Sequence, residues 1–293
     1  MELEDLDPVA GVRHRTVAVP GVDLHVAEAG DGPPLLLLHG WPQHWWSWRR
    51  MIPSLAATYR VIAPDLRGLG WSGAPPGGYE KRTLAADVVA LLDREGIDRV
   101  RVIGHDWGGF VSFLLALEHP ERIERLVTLD ITPPWGPRPR LSQLALPFVA
   151  SYQFVLGTPG LGERVLRAGP GFVRLLLELG SGPEAEWSER EVEAYAERLR
   201  EPARAHASSL YYRTFLTREM LSYSRGRRFR PSDLRVPTLA ILGGSSFMST
   251  VLGVDPAPSM RVETLPGAGH FLPEESPAEV LALAAPFLAS DGG

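Results

Sequence analysis

Residues 99–120 read RVRVIGHDWGGFVSFLLALEHP, and the parsing of this stretch decides the fold. RVRVIGHD (99–106) has the short apolar, β-branched character of a strand, and GGFVSFLLALEHPERI (108–123) has the length and composition of a helix. Between them Gly104 and Gly108 flank Asp106 with the spacing of a nucleophile elbow, G-x-S-x-G, in which an aspartate stands where a serine is usual. A strand that runs through such a turn into a helix exposes the central side chain. The following N–H, that of Trp107, lies at the helix N-terminus and can face developing negative charge. Taken alone, GHDWGG also fits an aspartate that merely caps the helix.

The flanking sequence has the rhythm of alternating strands and helices. HRTVAVPGVDLHVAEAG (14–30) reads as a hairpin turning at Pro20-Gly21. PPLLLLHG (33–40) and YRVIAPDLRG (59–68) read as strands, the first continuously apolar because both of its faces are covered. TLAADVVALLDREGI (83–97) is a helix, and RLVTLDI (125–131) is the strand after the elbow helix. The rhythm then breaks. From TPPWGPRPR (132–140) to about Arg230 no good strand candidate occurs, and GERVLRAGPGFVRLLLELG, SEREVEAYAERLR and ARAHASSLYYRTFLTREML are helical tracts. Strands return at VPTLAILGG (236–244) and SMRVETLPGAGH (259–270), and PAEVLALAAPFLAS (277–290) is a closing helix. The expected fold is therefore α/β, with a mostly parallel central sheet and an inserted helical cap. The core is expected to comprise residues 1–133 and 232–293 and the cap residues 134–231, hinged at the Pro-rich TPPWGPRPR and RPSDLRVP.

Composition narrows the chemistry. The 293 residues are 44% hydrophobic and 22% charged, which suits a soluble globular protein. A net charge of −5 gives no reason to expect nucleic acid or an anionic membrane as partner. With no cysteine there are no disulfides, thiolate metal sites or cysteine nucleophiles. The opening MELEDLDPVAG lacks the features of a signal peptide, and no apolar run approaches the roughly 20 residues of a membrane span, so a cytoplasmic protein is expected. Lys81 is the only lysine among 30 basic residues, a bias that hints at a GC-rich bacterial genome and not at function.

A carboxylate is a poor nucleophile towards amides and ordinary esters, because its attack would give an anhydride. It works well in displacement at a saturated carbon bearing a leaving group, and water then attacks the carboxyl carbon of the resulting ester. Asp106 thus points to epoxide opening or carbon–halogen cleavage. The second step needs a base, and His270 stands on a short Gly-flanked loop after the last strand. That base needs an acid to fix its tautomer. The loop after VPTLAILGG reads GGSSFMST and offers no carboxylate until Asp255, whereas Asp130 ends the strand that follows the elbow helix. Both border the same sheet edge; Asp130 is preferred and Asp255 is the alternative. The backbone N–H of Trp41, in LLLLHGWPQHWWSW, pairs with that of Trp107 as the candidate oxyanion hole. His39 reads as a loop brace, and Asp65 and Arg67 as partners of each other or of the backbone. Tryptophans cluster in these motifs and suggest an apolar or aromatic pocket, with Trp41, Trp107 and Phe271 as candidate substrate contacts.

Together, HGWP, GHDWGG and GAGHFLPEE resemble the α/β-hydrolase superfamily, in the branch of epoxide hydrolases and haloalkane and fluoroacetate dehalogenases that uses an aspartate nucleophile. Epoxide hydrolases of this branch place two cap tyrosines over the nucleophile. SYQFVLGTPG and SLYYRTF resemble the two segments, which implies Tyr152 and Tyr212 as proton donors to the epoxide oxygen, with Tyr211 as the competing neighbour. Trp107 and Phe110 stand where fluoroacetate dehalogenases carry arginines. Ser246 lies near where many epoxide hydrolases keep their acid, and Asp130 matches the acid position of the fluoroacetate and some haloalkane enzymes. The resemblance implies a cofactor- and metal-independent epoxide hydrolase acting on a small-molecule epoxide; a homodimer is left open. The alternatives are a haloalkane dehalogenase-type hydrolase and a non-catalytic ligand-binding protein of the same fold.

Overall fold

The computed structural model describes residues 2–135, 147–224, 228–247, 249 and 253–290. β1 (Arg13–Val19) and β2 (Val22–Ala29) form a hairpin with Val19 opposite Val22, and Gly21 takes φ 80° in the turn, where a side chain would be strained. β3 (Pro34–Leu38), β4 (Arg60–Pro64), β5 (Val100–His105), β6 (Ile123–Leu129), β7 (Thr238–Gly243) and β8 (Met260–Leu265) follow. Among the described residues these strands make one sheet in the order β1-β2-β4-β3-β5-β6-β7-β8. β2 runs antiparallel to both neighbours, and the pairs from β4 across to β8 are all parallel. From β3 to β6 a helix lies between successive strands: α1 (Ile52–Ala56), α2 (Lys81–Arg94) and α3 (Asp106–Glu118). Residues Asp106–Ala116 of α3 are all buried, as expected of a helix that is apolar on nearly every side.

Parallel pairing places the carboxyl ends of the central strands along one edge. The register sets Leu38 beside Gly104, His105 beside Leu129, Leu129 beside Ile241, and Gly243 beside Leu265. The loops that leave these ends carry Trp41, Asp106, Asp130, Ser246 and His270, so residues far apart in sequence converge there.

Between β6 and β7 the described residues contain helices and no strand: α4 (Pro147–Gly157), α5 (Leu161–Arg167), α6 (Gly171–Gly180), α7 (Glu189–Leu199), α8 (Pro202–Thr214), a π-helical turn (Phe215–Glu219) and α9 (Met220–Ser224). The helical tract 162–180 is two helices. Gly169 takes φ 145° and Pro170 has no N–H to continue the ladder, so the chain breaks there. Of the hinge TPPWGPRPR, residues 136–140 lie outside the described residues. The chain closes with α10 (Leu272–Glu275) and α11 (Pro277–Ala289). Among the described residues no helix is long and apolar enough to cross a membrane.

Candidate active site

Asp106 is the first residue of α3 and has φ 48°, one of two positive values among the described non-glycine residues. This left-handed conformation is uncommon, and a short polar side chain tolerates it best. It needs empty space on both sides. A Cβ at Gly108 would run into the carbonyls of Leu38 and His39, and one at Gly40 into the side chain of Asp106 itself. The glycines of the HG and DWG motifs thus let β3 and the elbow approach backbone to backbone.

The carboxylate is buried, 8% exposed. Its Oδ2 accepts the N–H of Trp41 at 2.9 Å, and the N–H of Trp107 also faces the carboxylate. Burial pushes its pKa up, and the nearby His270 and these two N–H groups work against that. Oδ1 faces Nε2 of His270 at 3.7 Å. On the other side of the imidazole, Nδ1 lies 2.7 Å from Oδ2 of Asp130. Asp130 is fully buried and is the other residue with positive φ, 43°; its Oδ1 accepts the N–H of Gly243 at 3.0 Å and the hydroxyl of Ser246 at 2.6 Å. Burial alone would lower the pKa of His270, but the hydrogen bond and charge of Asp130, then the charge of Asp106, hold it above its ordinary value. Asp255 is exposed, and its backbone carbonyl accepts the indole N–H of Trp135 at 3.0 Å.

Above the elbow, Tyr152 and Tyr212 pack edge to face with centroids 5.6 Å apart. Trp41 stacks on Tyr152 at 6.5 Å and meets Tyr212 edge-on at 5.4 Å, while Trp107 meets Tyr212 at 5.8 Å. Both phenols are held protonated. Burial and then the charge of Asp106 push Tyr152 up to about 12; burial, Tyr152 and Asp106 push Tyr212 well above its ordinary value. Tyr211 points elsewhere, its hydroxyl donating to the carbonyl of Arg67 at 2.8 Å. One helical step separates the two tyrosines and sends them to different faces of α8. Phe271 is buried on the far side of His270, edge-on to His270 at 5.0 Å and to Trp187 at 5.5 Å, apart from the Trp41–Trp107–tyrosine cluster.

The neighbouring loops are braced by side chains. His39 lies 2.9 Å from the carbonyl of Gly40 through Nδ1 and accepts the N–H of Leu66 at 3.0 Å through Nε2. Asp65 and Arg67 do not pair with each other. Asp65 accepts the N–H groups of Trp45 and Trp71 and contacts His25, while Arg67 forms a two-pronged bond with Asp87 at 2.6 and 2.7 Å. Asp65 is fully buried and its oxygens are taken up by two backbone N–H groups and His25, while Asp87 takes up Arg67.

One cation near the site gave no sequence signal beyond its rarity. Lys81 is fully buried at the start of α2, donates to the carbonyl of Tyr211 at 2.7 Å, and lies 3.6 Å from Glu219 and 4.4 Å from the centroid of the Trp107 ring. Burial lowers its pKa to about 8, against the opposing pull of Glu219. Among the described residues no group of His, Asp and Glu side chains is arranged to hold a metal ion. Chemically, the arrangement offers a buried carboxylate, an N–H pair for its carbonyl oxygen, a base oriented by a second carboxylate, and two protonated phenols.

Comparison with known proteins agrees with this architecture. The α/β-hydrolase fold family matches residues 33–277. A soluble epoxide hydrolase of Corynebacterium sp. (strain C12) is 34% identical over 95% of this chain and 98% of its own. A fluoroacetate dehalogenase of Burkholderia sp. is 31% identical over 95% of this chain and 94% of its own. The ligand-free structure of the epoxide hydrolase CorEH superposes with a TM-score of 0.83 at 31% identity, covering 95% of this chain and 99% of that one. The chain belongs to the α/β-hydrolase fold family, in the group that contains soluble epoxide hydrolases and fluoroacetate dehalogenases.

Proposed function

We propose that the protein is an epoxide hydrolase that works through an ester of Asp106. The observation that carries this reading is the line Asp106–His270–Asp130 lying under two protonated phenols. Oδ2 of Asp106 is engaged by Trp41, which leaves Oδ1 to attack an epoxide carbon from the side opposite the breaking C–O bond. Tyr152 and Tyr212 hydrogen-bond the ring oxygen and supply its proton, since the alkoxide formed is far more basic than a phenolate. His270 then removes a proton from water, the hydroxide adds to Cγ of Asp106, and the N–H groups of Trp41 and Trp107 hold the oxyanion. Collapse expels the second diol oxygen, which takes the proton of the newly formed Asp106 carboxyl group; the imidazolium proton returns through solvent to the phenolate, and Asp106, His270 and the tyrosine are regenerated. Water and epoxide become a vicinal diol, with no cofactor required.

In this reading residues 1–133 and 232–293 are the catalytic core of a cytoplasmic bacterial enzyme, and residues 134–231 are a cap that carries both tyrosines. Trp41 and Trp107 form an apolar wall suited to an apolar or aromatic epoxide, and Phe271 backs His270. The two epoxide hydrolase relatives support the choice of substrate class, as does the presence of Trp107 and Phe110 in place of cations beside the nucleophile.

Mass spectrometry of the intact His270→Gln variant after exposure to styrene oxide tests the mechanism. A substrate-sized adduct on Asp106 is expected, and its absence would overturn the covalent route. Release of halide from bromoalkanes without turnover of epoxides would select the dehalogenase alternative.

A further inference from the structure

The motif GAGHFLPEE contains two acids that the reaction does not use, Glu274 and Glu275; the first is bound to Arg49, and the second stands at the end of α10. Its carboxylate faces backbone. Oε2 accepts the N–H of Gly269 at 2.8 Å and that of Gly182 at 2.7 Å, and Oε1 accepts the N–H of Phe271 at 2.7 Å. Residues 269 and 271 are the two neighbours of His270.

The backbone of His270 is held as firmly. Its N–H donates to the carbonyl of Gly180 at 2.6 Å, and its carbonyl lies 2.8 Å from Nε2 of the buried His105. Every backbone donor from 269 to 271 is therefore engaged, two of them by one side chain. Gly180 and Gly182 belong to the end of α6 and the turn after it, between β6 and β7, and they lie directly on Gly269: a Cβ there would strike Ser181 and Gly182. The loop carrying the imidazole is thus clamped between α10 on one side and the α6 turn on the other, with Glu275 joining the two.

We propose that Glu275 is a positioning residue for the base, aiming Nε2 of His270 at the water that attacks the ester; this rests on the covalent reading above. A charged acceptor of three N–H groups forms bonds about twice as strong as neutral ones, and its loss would leave all three donors without a partner. A small swing of the imidazole is costly for water activation, which depends on alignment. The same swing leaves the first step intact, because attack by Asp106 and protonation by the tyrosines do not pass through His270. The negative charge of Glu275 also favours the imidazolium, together with Asp130 and Asp106, the other acids facing the ring; His105, packed against it, is kept neutral by its own burial.

The test separates the two half-reactions. Styrene oxide is mixed with the full-length wild type and with Glu275→Gln, the mixture is quenched over time, and the alkyl-enzyme is counted by mass. Glutamine offers one acceptor oxygen and turns an N–H towards the other backbone donors. Alkylation within about twofold of wild type is expected, with ester hydrolysis slowed tenfold or more, so that the ester accumulates. The pH at which hydrolysis switches on should also move down, because a negative charge near the imidazole is gone. Equal slowing of both steps, or no accumulation, overturns the proposal. If Glu275→Gln does not fold, Glu275→Asp carries the same test, and equal slowing of both steps there overturns it too. The control is His270→Gln: an adduct there with none in the Glu275 variants rejects the positioning role alone, whereas no adduct there rejects the covalent reading and this proposal with it.

Discussion

Ser246 donates its hydroxyl to Oδ1 of Asp130 over 2.6 Å. The loop after β7 has no carboxylate at the ring of His270, and it instead steadies one that comes from the end of β6. Gly243 shares that task through its N–H, and Oδ2 of Asp130 is left to His270.

Asp130→Asn should slow hydrolysis of the Asp106 ester by on the order of 10³- to 10⁴-fold, because an amide can present its N–H to Nδ1 and select the wrong tautomer. Asp255→Asn, on an exposed side chain, should leave the rate near wild type. Single-turnover decay of the alkyl-enzyme measures both, and a larger effect at Asp255 would reverse the choice of acid.

Tyr152→Phe and Tyr212→Phe should each slow formation of the ester, by roughly 10²-fold or more if the two share the proton donation. Decay of ester already formed should hardly change. Tyr211→Phe removes a bond to the Arg67 carbonyl and should show as lost stability, with alkylation retained. Alkylation that falls more with Tyr211 than with Tyr212 would mean the wrong face of α8 had been chosen.

The pH dependence has a defined direction. His270 is held above its ordinary pKa by Asp130 and Asp106 against burial. In the ester, Asp106 is uncharged and one of those supports is lost, so the ring becomes neutral at lower pH when it must act as base. Ester hydrolysis should rise with pH, with a midpoint below that of His270 titrated by NMR in the free enzyme. A kinetic midpoint above the NMR value contradicts this. The same raised pKa contributes stability that is complete below the unfolded value and is lost as pH climbs through the folded one. The stability advantage of wild type over His270→Gln should therefore shrink from the acid to the alkaline side, as read by urea unfolding.

Lys81→Met leaves Glu219 and the Tyr211 carbonyl buried without their cation, and should cost about 3–5 kcal/mol. Adding Glu219→Gln should restore much of that loss, since both charges are then gone. Urea unfolding of the two single variants and the double variant gives the coupling directly. A single-variant cost under about 1 kcal/mol would show that the pair contributes little.

Several features are legible in the sequence itself. The glycine spacing around Asp106 and the apolar runs before it led to the elbow and the parallel sheet, because both are local patterns. The break in the helical tract at Gly169-Pro170 is equally local. Partners of buried polar groups were harder. Asp65 and Arg67 are two residues apart, yet each binds a different distant partner. Glu275 carries no signal of its own in the sequence, and one of its three backbone donors comes from a turn 93 positions away.

The sequence by itself determined the class of architecture and the elbow on which Asp106 sits, since periodicity and glycine spacing act within a few residues. Only the tertiary structure decided which carboxylate meets Nδ1 of His270, which of two adjacent tyrosines turns towards Asp106, and what holds the histidine loop. Those outcomes depend on strand register and on the rotation of α8. These are set by packing summed over the whole sheet and its covering helices, and no short stretch of residues encodes that sum.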